Sequence, residues 1–312
     1  MVVLIMTEPK ASSSQKMNEY SIDNEYANTR IDRFLYLKFG FTHGMIRKFL
    51  RKKLVTVNGN KVVADYRMLY GDKVLIYVSI LSREKIEVSK KNNFVTDKCY
   101  KKYEKIALSM VLDNMNELVV INKPYGMPSQ GGSNINVSID SLLKYIESGL
   151  HLTHRLDKYT SGVMLLAKGN LMARKIGELF KNAMVGKTYY ALLSRMPSSK
   201  SGVLELPLCE IEQSGERIVV VAKTNGIRSI TKYNVITRIS EDMILVRLSP
   251  LTGKKHQLRV HMLHLGCPII GDKKYGGIAG KLCLYAHSIS LPGVGIFSAT
   301  PPKHMSFISP VL

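Results

Sequence analysis

Apolar positions along the first part of the chain change spacing twice, and each change marks an element. Ile31, Phe34 and Leu35 fall at helical spacing, and Gly40 follows as a stop. Thr42 can cap a second helix whose apolar face is Ile46, Phe49 and Leu50. The spacing then becomes that of strands. Val55–Val57 and Lys61–Val63 flank Asn58-Gly59, a two-residue hairpin signal, and Gly71-Asp72 turns into Val74–Val78. The pattern predicts two short helices beside a small sheet over residues 29–81. Residues 7–28 hold Ser12-Ser13-Ser14 and few large apolar side chains; with the short apolar start Met1–Met6 they read as a disordered tail over residues 1–28, in which Met6 and Met17 are alternative starts to Met1. Residues 82–105 are dense in charge and poor in aliphatics, the composition of a linker.

From residue 106 to 312 the texture is that of a second, larger domain. Leu108–Leu112 and Leu118–Ile121 are strand-like runs around Asp113-Asn114, and Ser138 opens a helix through Leu142, Leu143 and Ile146. Gly162–Ala167 reads as a buried strand, and residues 171–184 have helical periodicity carried by Ile176, Leu179 and Phe180. Strands follow at Lys187–Leu193, Arg217–Ala222, Ser229–Ile236 and Met243–Leu248, then a helix over Lys255–Leu265 with Gly266 at its end. Many strands with few helices between them predict an α+β architecture on a mixed, mainly antiparallel sheet.

Composition agrees with this division. A chain of 312 residues suits two domains, and 45% apolar with 22% charged residues is the balance of a globular protein with a sizeable core. Charge adds something new. Lys and Arg number 45 against 24 Asp and Glu, a net of +21, and a protein this basic usually meets a polyanion. The stretch from Thr29 to Lys91 alone carries a net of +10. Within it Arg47, Lys48, Arg51 and Lys52 fall opposite the apolar stripe of the second helix, the placement expected of cations that meet RNA phosphates. Cys99, Cys209, Cys267 and Cys283 show no CxxC spacing, which argues against a disulfide framework and suits a reduced, cytoplasmic setting. No apolar run approaches the ~20 residues that span a bilayer, so no membrane partner is expected.

Four clusters could carry chemistry. Lys123-Pro124-Tyr125-Gly126 with Gln130-Gly131-Gly132 is a rigid turn after a strand. His154-Arg155-Leu156-Asp157-Lys158-Tyr159-Thr160-Ser161-Gly162 runs into the buried strand, and its carboxylate has Arg155 and Lys158 for near neighbours. Lys187-Thr188-Tyr189 opens a strand. Thr252-Gly253-Lys254-Lys255-His256-Gln257-Leu258-Arg259-Val260-His261 places His256 and Arg259 three apart on one helix face, and Gly271-Asp272 closes the cluster. The spacing of His256, His261, His264 and Cys267 matches no common metal motif, so no metal and no cofactor is expected.

The HRLDxxTSG run at 154–162, KxY at 187–189 and TGxxHQxRxH at 252–261, in this order, resemble the RluA-type pseudouridine synthases. The front module resembles the S4 RNA-binding domain, and the combination looks most like the RluC branch, which acts on large-subunit (23S) ribosomal RNA. The resemblance covers Thr29 to the C-terminus. It implies a central mixed sheet with an active cleft across its middle, Asp157 as the catalytic aspartate, and Tyr189 as the residue that stacks on the target uracil and is placed to take the C5 proton. It also implies that Arg259 pairs with Asp157 and that Arg155 contacts RNA around the flipped nucleotide. Lys187, Lys254 and His256 are expected RNA contacts, and the chain is expected to act as a monomer on ribosomal RNA. Two positions depart from the family pattern: Lys254 stands where Arg is frequent, and Lys255 where Thr is common.

The chemistry implied needs one carboxylate beside ribose and base, because a uridine isomerisation oxidises nothing and uses no donor group. A non-catalytic S4-type RNA-binding protein of ribosome assembly is the alternative of a different class, and intact Asp157, Tyr189 and Arg259 argue against it. The RsuA branch differs at the residue matching His154, and a triad hydrolase lacks its nucleophile motif.

Overall fold

The computed structural model describes residues 17–41, 43–77, 97–131, 135, 137–276 and 279–311. The chain divides into two compact units, the first ending at Tyr100 and the second beginning at Lys101.

In the first unit a three-stranded antiparallel sheet has the order β1 (Met17–Ser21), β3 (Lys73–Tyr77), β2 (Val55–Val57), with helices α1 (Ile31–Phe39) and α2 (His43–Arg51) beside it. Both apolar stripes are buried: Ile31, Phe34, Leu35, Ile46, Phe49 and Leu50 share one core with Val55, Val74 and Ile76. Gly40 closes α1 in the left-handed region, its N–H donating to the Tyr36 carbonyl. Thr42, Val78 and residues 82–96 lie outside the described residues.

Two expectations need correction here. Residues 17–28 are not tail: β1 pairs with β3 from Met17↔Tyr77 to Ser21↔Lys73, and Ile22 is buried. The strand is polar and mostly exposed because it is an edge, held by backbone pairing that side-chain hydropathy does not register. Lys61–Val63 is not a strand. The Asn58-Gly59 turn closes a single bridge, Val57 to Asn60, and β2 takes β3 as its partner. The chain then passes the start of α1, where the Ala64 and Tyr66 carbonyls accept from the N–H groups of Asp32 and Ile31. Those two donors have no partner inside the helix, so the departure from the hairpin satisfies them.

Helix α3 (Asp97–Leu108) runs from the end of the first unit into the second, so the charged linker gives way to helix from residue 97, and Leu108 ends that helix rather than opening a strand. An eleven-stranded sheet follows. Its main path is β10 (Glu216–Val221), β9 (Ser201–Gln213), β11 (Ile227–Ser240), β12 (Met243–Pro250), β8 (Gly186–Leu193), β13 (Leu284–Leu291), β7 (Ser161–Lys168), β5 (Leu118–Lys123) and β4 (Val111–Asn114). Off this path β14 (Gly295–Ser298) pairs with β13 and β6 (Leu150–Leu152) pairs with β7. Every pairing is antiparallel except β7 with β13. Short helix α4 (Ile139–Leu142) is capped reciprocally by Ser138 and Ser141. Helix α5 (Gly169–Lys181) buries Met172 and Ile176 in the core of β5 and β7, and α6 (Gln257–His264) buries Leu258 and Met262 against β8, β11 and β12.

The parallel pair explains Gly162. At φ 117° it lies against Ala286, and a Cβ there would stand 2.1 Å from the Ala286 carbonyl oxygen. Only glycine lets the strand after the Asp157 loop approach β13 so closely. No helix among the described residues is long and apolar enough to cross a membrane.

Candidate active site

The loop that carries Asp157 is fixed from below by hydrogen bonds to backbone. Thr153 Oγ1 donates to the Leu165 carbonyl at 2.7 Å, and His154 Nε2 accepts the Leu165 N–H at 3.1 Å. His154 packs on Phe180, and burial, reinforced by Lys187, drives its pKa down to about 3. The ring therefore stays neutral and works as an anchor for the loop on β7.

The turn after β5 holds the same loop from the side. Ser129 Oγ donates to the Leu156 carbonyl at 2.7 Å and accepts the Leu156 N–H at 3.0 Å. Arg155, exposed, donates from Nη1 to Gln130 Oε1 at 3.0 Å. Lys123 is fully buried, and its ammonium donates to the carbonyls of Pro124 (3.2 Å), Met127 (2.7 Å) and Lys158 (3.2 Å). Burial lowers its pKa to about 7, against the upward pull of Asp157. The first two sequence clusters are thus one structure, with Asp157 at its open end and one-third of its side chain exposed.

The fourth cluster faces that carboxylate. His256 sits in the left-handed region (φ 53°) just before α6, with Nε2 3.8 Å from Asp157 Oδ2. Arg259, one turn on, brings Nη1 to 3.9 Å from the same oxygen. The expected Arg259–Asp157 pairing is present only at this length. The closer partner is Asp272: Arg259 Nε donates to Oδ2 at 2.7 Å and Nη2 to Oδ1 at 2.6 Å, a bidentate fork between two buried groups. Asp272 also accepts the backbone N–H groups of Lys274 and Tyr275, each at 3.2 Å. Gly271 makes this possible, since at φ 78° a Cβ would stand 2.0 Å from the Lys281 carbonyl.

Gln257 ties the cluster to β11 and uses its whole amide. Nε2 donates to the Ile230 carbonyl and Thr231 Oγ1, while Oε1 accepts from Thr252 Oγ1 and the Lys254 N–H. His261 is fully buried with Nε2 2.7 Å from Ser229 Oγ, and burial lowers its pKa to about 4. Lys254 is exposed; Lys255 pairs with Glu210.

Tyr189 extends from β8 on the same side as Lys187, two residues apart. Burial, with Asp157 nearby, pushes its phenol pKa up. Lys187 donates to the Thr252 carbonyl at 3.2 Å, and burial pulls its pKa down. That lysine is half-buried and already engaged, unlike the free cation expected of a phosphate contact. On the first unit, Arg47, Lys48, Arg51 and Lys52 are all exposed, while Ile46, Phe49 and Leu50 between them are buried.

Asp272 and Tyr275 escaped the sequence reading as site residues. The signal was an acid in a tight Gly-Asp turn, thirteen positions beyond an arginine that the helix buries. Tyr275 places its hydroxyl 2.7 Å from His256 Nδ1 and its ring under the Arg259 guanidinium, 4.8 Å from the ring centre.

Residues 117–264, which hold Asp157, Tyr189, His256 and Arg259, match the family model described as RNA pseudouridylate synthase. A Rickettsia felis protein named ribosomal large subunit pseudouridine synthase C is 37% identical over 258 residues, covering 81% of this chain and 83% of that protein. Its Yersinia pestis namesake is 35% identical, covering 82% of this chain and 78% of that protein. The solved structure of human RNA pseudouridylate synthase domain containing 4 superposes with a TM-score of 0.56 at 31% identity, covering 66% of this chain and 94% of its own. With more than four-fifths of the length of a 37% identical synthase matched, this chain belongs to the RNA pseudouridine synthases of the RluA/RluC type.

Proposed function

We propose that this enzyme converts specific uridines of large-subunit (23S) ribosomal RNA to pseudouridine, with Asp157 as its essential carboxylate and no cofactor. The reaction breaks the N1–C1′ bond, turns the uracil, and joins C5 to C1′; the C5 proton leaves and N1 regains one. A carboxylate one-third exposed and faced by Arg259 and His256 is the observation that carries the reading. Such a group can attack the nucleoside or stabilise positive character at C1′. The target base must leave its stack to reach it. Tyr189 offers a ring to stack on beside Asp157, and burial raises its phenol pKa. Exposed Arg155, at the mouth of the loop, is the group to contact RNA around the flipped nucleotide.

The first unit, with Arg47, Lys48, Arg51 and Lys52 exposed on and just after one helix, serves as an S4-like RNA-binding domain in this account. The enzyme works in the cytoplasm as a monomer, on ribosomal RNA. Pseudouridine mapping of 23S RNA from cells with and without the gene tests the proposal. Loss of discrete pseudouridines on deletion, restored by the wild-type gene, is expected. An unchanged map with altered ribosomal subunit profiles would instead make the protein a non-catalytic assembly factor.

A further inference from the structure

Tyr275 is buried, and its hydroxyl has two neighbours. The Val219 N–H donates to the phenol oxygen at 3.0 Å, and His256 Nδ1 lies 2.7 Å away. The oxygen's role toward Val219 is fixed, since an amide N–H can only donate. If His256 Nδ1 also carried a proton, the phenol oxygen would accept twice and its own proton would be buried without an acceptor. That costs more than the alternative, in which the hydroxyl donates to a bare Nδ1. The imidazole proton then sits on Nε2, the nitrogen 3.8 Å from Asp157 Oδ2.

We infer that Tyr275 and His256 are positioning residues for Asp157: Tyr275 sets the His256 tautomer, and His256 then presents an Nε2–H donor to the carboxylate. This rests on the reading of Asp157 as the reactive group. The backbone supports the assignment. His256 holds a left-handed conformation (φ 53°) that is uncommon for residues other than Gly, and its ring reaches Asp157 with one nitrogen and Tyr275 with the other. The ring of Tyr275 packs edge-on against His256 (5.5 Å between centres) and under Arg259. One loop therefore orients both groups that face Asp157: Asp272 aims Arg259, and Tyr275 aims His256. Burial, with Arg259, Lys255 and Lys274 around the ring, outweighs Asp157 and holds the His256 pKa below its ordinary value, so the neutral tautomer is the resting form. At 3.8 Å the contact to Asp157 is longer than a direct hydrogen bond, a separation that catalytic contacts in unliganded enzymes commonly show.

The test combines ring-nitrogen NMR of 15N-histidine-labelled protein with tritium release from ribosomal RNA labelled at uridine C5. In the wild type, His256 should carry its proton on Nε2. Tyr275→Phe, which keeps the ring but loses the hydroxyl, should mix the tautomers and lower kcat about 10- to 100-fold at unchanged RNA affinity. His256→Gln, whose amide reaches the Nε2 position, should keep more activity than His256→Asn, whose amide matches Nδ1. Asn suits the left-handed backbone better, so an Asn variant as active as Gln would mean that only the backbone matters and would overturn the inference. An Nδ1–H tautomer in the wild type would overturn it too, as would loss of RNA affinity with kcat intact in both His256 variants. The NMR readout needs no substrate, so a wrong assignment of the reaction would silence tritium release while leaving the tautomer result to decide this inference alone.

Discussion

Arg259 gives its bidentate fork to Asp272, at 2.7 and 2.6 Å, and keeps only Nη1 for Asp157, at 3.9 Å. The arginine thus meets the candidate catalytic carboxylate from a fixed mount rather than as a free partner. Both members of the mount are buried, and removing one partner of such a pair leaves the other charge uncompensated, at a cost of about 3–5 kcal/mol. Asp272→Asn should therefore lower the melting temperature of the second unit on the order of 10 °C. It should also reduce kcat more than RNA affinity. Calorimetry of the variant checks this, and melting at the wild-type temperature would show that the pair holds nothing.

Lys123 supplies a second cation to the same carboxylate from within the core. Its pKa of about 7 lies below that of an unfolded lysine, so between those two values the unfolded chain binds the extra proton. The burial penalty is present in full below pH 7 and is relieved as pH rises, so this group makes stability increase with pH above neutrality. Lys123→Met should remove that increase. Asp157 pulls the Lys123 pKa upward, so Asp157→Asn should move it below about 7. Titration of the lysine side chain by NMR reads the shift; an upward or absent shift would place the two groups out of electrostatic reach.

What was legible in the sequence followed from burial on one face. The stripes Ile31-Phe34-Leu35 and Ile46-Phe49-Leu50, and the apolar run in β7, each announce a buried surface. Strands that bury little announced nothing. β1 is an exposed edge, and β9 is thirteen residues long yet mostly exposed, with Val203 facing solvent and Pro207 in its middle. The site divided along similar lines. Asp157, Tyr189, His256 and Arg259 stand in ordered local motifs, and their resemblance to a family pointed to them. Asp272 and Tyr275 act through a tertiary contact between a turn and a helix start, which no local spacing encodes.

The first unit offers a separate test. Arg47, Lys48, Arg51 and Lys52 are exposed beside a buried stripe and gain nothing from the core. Each phosphate contact contributes ~0.7 to 0.9 to the slope of log affinity against log salt. Reversing Arg47, Lys48 and Arg51 to Glu should weaken binding to long ribosomal RNA and flatten that slope, with kcat at saturating RNA near normal. A short stem-loop that reaches only the cleft should be affected less. Filter binding across a salt series decides it: an unchanged slope would mean that this face is simply solvated.

The most direct test of the whole account is Asp157→Asn, assayed by tritium release from ribosomal RNA labelled at uridine C5. The side chain is partly exposed, and its ion pairs among the described residues are the long ones to His256 and Arg259, so the fold and RNA affinity should survive the change. Tritium release should vanish while the variant still melts and binds RNA like the wild type. A folded, RNA-binding Asp157→Asn protein that keeps more than about a hundredth of the wild-type rate would contradict the assignment of Asp157 as the essential carboxylate.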